Sequence, residues 1–172
     1  VLSEKRRAAA KDASDAIMNE LAYLDMPKVK FSIDVSDAKE LSLWGADKIE
    51  FLVATNPGEP MMPIGDIASG GEMARIMLAI RSVLNEKDGV SSSVYDEIDT
   101  GISGKTSRKV GIKLRSIAEG SQVICVTHSA QIATLADVHF LITKQEIDGR
   151  AHTSIRALDT DERIEEAARI LG

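Results

Sequence analysis

The sequence predicts an α/β fold with a mainly parallel sheet flanked by helices and a hairpin near the C-terminus. Stretches with helical apolar spacing alternate with short apolar runs through the middle of the chain, in the order strand, helix, strand, helix, strand. The run from Gln122 to Val126, QVICV, is apolar after its first residue, as in a parallel strand covered on both faces. Two of the runs end in polar pairs, Asp96-Glu97 and Thr127-His128. In sheets of this kind ligands sit beyond the C-terminal strand ends, so both pairs point to one functional edge.

The elements follow in order. Residues 3–25 are rich in Ala, Lys, Glu and Asp, with Ala10, Ala13, Ile17, Leu21 and Leu24 near helical spacing until Pro27 stops the helix. This reads either as a surface helix or as the stump of a longer antiparallel coiled coil. VKFSIDV and KIEFLVAT alternate apolar and polar residues as half-buried strands do, and Asn56 to Pro63 is a loop by composition. Ser69-Gly70-Gly71 opens a helix with an apolar stripe of Met73, Ile76, Met77, Ile80 and Leu84. A short strand ends at Tyr95. A helix over 105–119 turns Val110, Leu114 and Ile117 inward, and QVICV follows. Asp148-Gly149 joins FLITK and TSIRAL as a hairpin. The last helix starts near Asp159, with Glu162 as its capping-box partner.

A length of 172 residues allows one domain with a sizeable core, and only 3% aromatics means that aliphatic packing must build it. The net charge of −6 argues against a broad DNA-gripping face, leaving any grip elsewhere or on a local patch. The lone Cys125 excludes an internal disulfide and any multi-cysteine metal site, and is expected to be a buried spectator in a reducing cytoplasm. No apolar run approaches the roughly 20 residues of a membrane span, and no signal peptide opens the chain. Val1 in place of Met raises the expectation of a piece of a longer protein.

The chemistry gathers at the strand ends. A strand ending in two carboxylates can hold Mg²⁺ through Asp96 and aim a water with Glu97, the two tasks phosphoryl transfer needs. Taken alone, the pair reads more readily as a solvated acidic turn. Gly70 and Gly71 let the backbone approach a ligand at a helix N-terminus, where exposed amides attract phosphate, and Ser69 adds a hydroxyl. Alone, Ser69 is also an ordinary N-cap. His128 can meet a γ-phosphate or orient a water, although a single histidine is often structural. His139 and His152 have no such context.

The order of these features is more specific than any one of them. SGGE, a helix, a strand ending in DE, then DTG, a helix and a strand ending in TH resembles the second half of an ABC-type ATPase head. On the longer strings IASGGEMARIMLAI, DEIDTGISG and VICVTHSAQIATLAD the chain resembles the RecN family, relatives of the SMC (structural maintenance of chromosomes) proteins. Two departures stand out: Ala68 replaces the usual signature Leu, and Ser91, Ser92 and Ser93 weaken the Walker B strand.

The resemblance implies a division into the end of a coiled-coil helix, 1–26, and the C-terminal portion of an ATPase head, 27–172. It implies ATP and Mg²⁺ as cofactors, with Asp96 at the metal and Glu97 and His128 catalytic. Ser69, Gly70, Gly71 and Glu72 would form the signature that closes over ATP on a partner head, and Asp99 the D-loop. The implied partners are a second head in an ATP-dependent homodimer, the N-terminal half of the same head, and DNA through the longer parent, with no membrane. The implied role is double-strand break repair and recombination in the cytoplasm, at the nucleoid. A rival reading is a non-catalytic docking module whose ATPase motifs are relics. Gly104-Lys105-Thr106 imitates the end of a P-loop, but the motif's first glycine would fall on Asp99. Walker A and a Q-loop segment are absent from the string, so the fragment alone is expected to be inactive.

Overall fold

The computed structural model describes residues 1–67, 70–84, 89–147 and 149–172. Helix α1 (Leu2–Tyr23) buries Ala10, Ser14, Ile17 and Leu21, and Leu24 just beyond it is fully buried. The inward position expected of Ala13 belongs to Ser14. Its hydroxyl donates to Ala10 O (2.6 Å) and accepts from the Ile33 N–H (3.0 Å), so a polar side chain is satisfied where helix meets strand. The helix ends before Pro27 can act. Asp25 turns left-handed (φ 60°), the Met26 N–H bonds Leu21 O and the Asp25 N–H bonds Ala22 O, a Schellman turn with Asp where Gly is usual.

Strands β1 (Lys30–Ser42) and β2 (Gly45–Ala54) pair antiparallel, and β3 (Met62–Pro63) adds to β2. A 3₁₀ turn over Ile64–Asp66 leads to α2 (Gly70–Leu84). The alternation of β1 and β2 delivers Phe31 and Val53 to the core, where Phe31 meets Phe51 edge-on. Helix α2 buries Ile76, Leu78, Ala79 and Ile80, whereas Met77 of the expected stripe is 46% exposed. The reason is that α2 packs between α1 and α3, which turns its buried surface toward Arg75, Ile76, Leu78 and Ala79 and leaves Met77 at the open side.

Strand β4 (Ser92–Tyr95) pairs parallel with β5 (Gln122–Cys125), with α3 (Gly104–Ala118) as the crossover. Val110, Leu114 and Ile117 of α3 face inward as the spacing predicts. After a single turn, α4 (Ala130–Ala133), strands β6 (Phe140–Ile147) and β7 (Arg150–Ala157) form the expected hairpin, though Asp148 lies outside the described residues. Helix α5 (Thr160–Leu171) starts from a complete Asp159–Glu162 capping box.

The α/β class holds, with mixed sheets: an antiparallel β1–β2–β3, the parallel β4–β5 and the antiparallel β6–β7. Among the described residues, parallel pairing is confined to β4 and β5. The β5 strand is covered on one face only. Val94 and Ile124, register partners, stand 68% and 48% exposed on the other.

Candidate functional site

Because β4 and β5 are parallel, their C-terminal ends open on the same side, and the loops after Tyr95 and Cys125 meet there. The Val126 N–H extends the ladder to Tyr95 O (2.9 Å). Beyond that bond the two loops are held by one carboxylate. Asp99, with its side chain 2% exposed, accepts from Thr127 Oγ1 (2.5 Å) and from the His128 N–H (3.0 Å) through the same Oδ2. His128 Nδ1 lies 3.3 Å from that oxygen while its imidazole is 81% exposed. Asp99 therefore holds the His128 backbone, while the imidazole beside it stays open to solvent. Its Oδ1 is buried without a hydrogen-bond partner.

The acidic pair is exposed and stiffly held. Asp96 Oδ1 accepts the Glu97 N–H (2.9 Å), and Glu97 O accepts the Thr100 N–H (3.0 Å). Glu97 sits in the left-handed region at φ 56°, a conformation that costs a non-glycine residue energy and is typical of functional turns.

Gly70 and Gly71 press against this turn within the same chain. A Cβ on Gly70 would stand 2.8 Å from Glu97 Oε2, and one on Gly71 would stand 3.0 Å from Glu97 O. Gly71, which meets backbone, is thus also needed for close packing beside Glu97, whereas the Glu97 carboxylate could swing away from a side chain at position 70. Ser69 lies outside the described residues. Glu72 follows in the first turn of α2.

Sequence reasoning missed Arg75. It is 6% exposed, and its Nη1 donates to Ile98 O (3.2 Å) and Thr100 O (3.0 Å), tying α2 to the turn that carries Asp99. Burial pulls its guanidinium below the ordinary range, while the Glu72 charge opposes that shift. The available signal was an arginine between inward-facing positions of α2. Cys125 is half-buried, and burial, reinforced by Asp99 and Asp96, pushes its thiol up to about 12.

No family model matches the chain. Comparison with curated proteins finds the DNA repair protein RecN of Halalkalibacterium halodurans, 40% identical over 99% of this chain. That of Vibrio cholerae is 41% identical over 99% of the chain, and that of Xylella fastidiosa 48% over 74%. The chain belongs to the RecN family. It spans 31% of the length of the first two relatives and 23% of the third.

Among solved structures, an Smc head domain with a coiled coil and joint from Pyrococcus yayanosii superposes with a TM-score of 0.62 at 17% identity. It covers 94% of this chain and 29% of its own. A chain from work on ATP-driven dimerization and DNA-stimulated activation of SMC ATPases superposes at 0.57, with 18% identity over 99% of this chain and 98% of that one. At such identities the likeness is one of fold. This chain thus shares the fold of part of an SMC head domain, with its acidic turn and its histidine on one edge.

Proposed function

We propose that this chain is the C-terminal part of a RecN-like ATPase acting in DNA double-strand break repair and recombination, with residues 1–26 as the end of a coiled-coil helix. The single observation that carries the reading is the buried Asp99 carboxylate joining the loop of Asp96-Glu97 to the loop of Thr127-His128. Two strand ends that merely happened to be polar would not share a 2%-exposed acid. The open faces of Val94 and Ile124 support a further layer from the N-terminal half of the same head, which would also bring the phosphate-gripping loop.

The residues fit a Mg²⁺–ATP site of the water-rich kind. Magnesium bound with nucleotide usually takes one or two carboxylates and completes its shell with phosphates and water, and Asp96 offers one exposed carboxylate. Among the described residues no cluster of three or more acidic, His or Cys side chains could hold a metal alone. The bound ion would neutralise phosphate charge. Glu97 would accept the proton of an attacking water, its backbone set by the left-handed turn. His128 would face the terminal phosphate with its exposed imidazole, its backbone held by Asp99. Ser69, Gly70, Gly71 and Glu72 would close over nucleotide bound to a second head, and the turn that carries Asp99 would couple the two ATP sites. The site works in the cytoplasm at the nucleoid.

The test is Glu97→Gln in the completed head. Turnover should fall by two orders of magnitude or more, since general-base catalysis contributes about 10²–10⁴-fold, while ATP affinity stays within about twofold and ATP-dependent dimers accumulate. Near-normal turnover would remove Glu97 from the catalytic role.

A further inference from the structure

The chain is acidic overall, yet its positive charge is unevenly placed. Helix α3 carries Lys105, Arg108, Lys109, Lys113 and Arg115, five of the chain's 21 basic residues, and no acid in its 15 positions. The fold then divides them. Lys109 Nζ bonds Asp25 (2.6 Å), Lys113 Nζ bonds Glu20 (2.6 Å), and both ammonium groups lie over the Tyr23 ring, so these two close the seam with α1.

Lys105, Arg108 and Arg115, with Ile112 between, recur at three- and four-residue spacing and form one exposed stripe. Neither Lys105 nor Arg108 has an ion-pair partner among the described residues. Arg115 donates to Leu135 O (3.0 Å) and stands 3.7 Å from the exposed Asp137. The opposite side of α3 is sealed by Val110, Leu114 and Ile117, while Gly104 and Gly111 lie against Gln131 and Leu135 of the α4 region along one edge of the stripe. The stripe runs about 15 Å along the helix axis.

We propose that this α3 stripe is a contact surface for the phosphate backbone of DNA. Three long cationic side chains in line, without aromatic stacking platforms or a cleft, suit a continuous line of phosphates and read no base sequence. A polyanion would be repelled by most of this surface, which leaves the stripe as the place of approach. The inference rests on the reading of the chain as part of a DNA repair ATPase, and it names where that protein touches its DNA.

The experiment is a fluorescence-anisotropy titration of a labelled random-sequence duplex with the chain at several salt concentrations. Each phosphate contact contributes about 0.9 to the slope of log K against log salt. The double variant Lys105→Glu, Arg108→Glu should make that slope shallower by about 1.8 and weaken binding at low salt by about tenfold or more. Lys39→Glu with Lys144→Glu, two exposed lysines on the hairpins, removes the same charge and should leave the slope in place. Circular dichroism confirms folding, and Lys105→Gln with Arg108→Gln repeats the test without adding negative charge. Equal slopes for the α3 and hairpin variants would overturn the surface while leaving DNA binding itself intact. No binding by the unmodified chain at about 0.01 M salt, where screening is weak, would overturn it as well. The Glu97→Gln outcome is independent of both, so a failed ATPase reading is told apart from a failed surface.

Discussion

Cys125 reports on the site from inside the sheet. Its thiol is pushed up to about 12, first by burial and then by the negative charges of Asp99 and Asp96. A free cysteine at pH 8 is partly thiolate, whereas this one would carry on the order of 10⁻⁴ of that form. Higher basicity returns some nucleophilicity to the thiolate, so exchange with an aromatic disulfide should run roughly a hundredfold slower than in the denatured chain. The rate should climb about tenfold per pH unit from 8 to 10 instead of levelling off near the free-thiol value of about 8.5. A plateau near that value would mean that the thiol is not shielded from water as described. Cys125 was legible as an inert strand residue; its proximity to two carboxylates was not, because strand order decides which loops meet. Arg75 was hidden for a related reason. An arginine in an apolar helix reads as an exception until the carbonyls of Ile98 and Thr100 that accept from its Nη1 are in view.

At the level of elements, the join between α1 and α3 rests on Asp25. It accepts from Thr106 Oγ1 (2.7 Å) and from Lys109 Nζ (2.6 Å), and these bonds hold its carboxyl below the usual carboxylate range. A depressed carboxylate stabilises the fold above its unfolded pKa of about 3.9, and that contribution is lost as pH falls through the lower folded value. Asp25→Asn keeps the size and tolerates the left-handed turn, so it isolates the charge. The variant should melt below the parent at pH 7, and the gap should close as the pH drops below about 3.9. A gap independent of pH would assign the effect to geometry, not charge. Element boundaries were largely readable from the sequence, because each helix and hairpin carried a local signal such as the Asp159–Glu162 box. The Asp25 turn was not, since neither a residue that usually leaves this turn to glycine nor a contact 81 residues away leaves a local pattern. The α4 turn and β3 were likewise missed, each being too short to show a period.

For the molecule as a whole, the uncovered apolar surface is the strongest clue to what completes it. Val94, Ile124 and Val126 stand exposed on the β4–β5 pair, and Phe140, Ile142 and Ile155 share one face of the β6–β7 hairpin. Contiguous apolar faces of this kind mark surfaces meant to be covered. The sequence predicted a β5 covered on both sides, and the chain supplies one side; the other is assigned to the N-terminal half of the proposed head. That half would also carry the backbone amides and lysine that grip phosphates, since Gly104-Lys105-Thr106 opens a helix whose lysine points along the exposed stripe of α3. The chain alone should therefore show no ATP hydrolysis and bind Mg-ATP more weakly than about 10 μM, close to −7 kcal/mol. Co-expression with the N-terminal part of the Halalkalibacterium halodurans relative should yield a complex that hydrolyses ATP. Ile124→Glu, which buries a charge at the seam, should abolish the complex without unfolding the chain, because Ile124 is already half exposed. Tight nucleotide binding by the isolated chain would break this argument at its base, by showing that the phosphate grip lies within these residues. A stable complex formed despite Ile124→Glu would instead place the seam on another face.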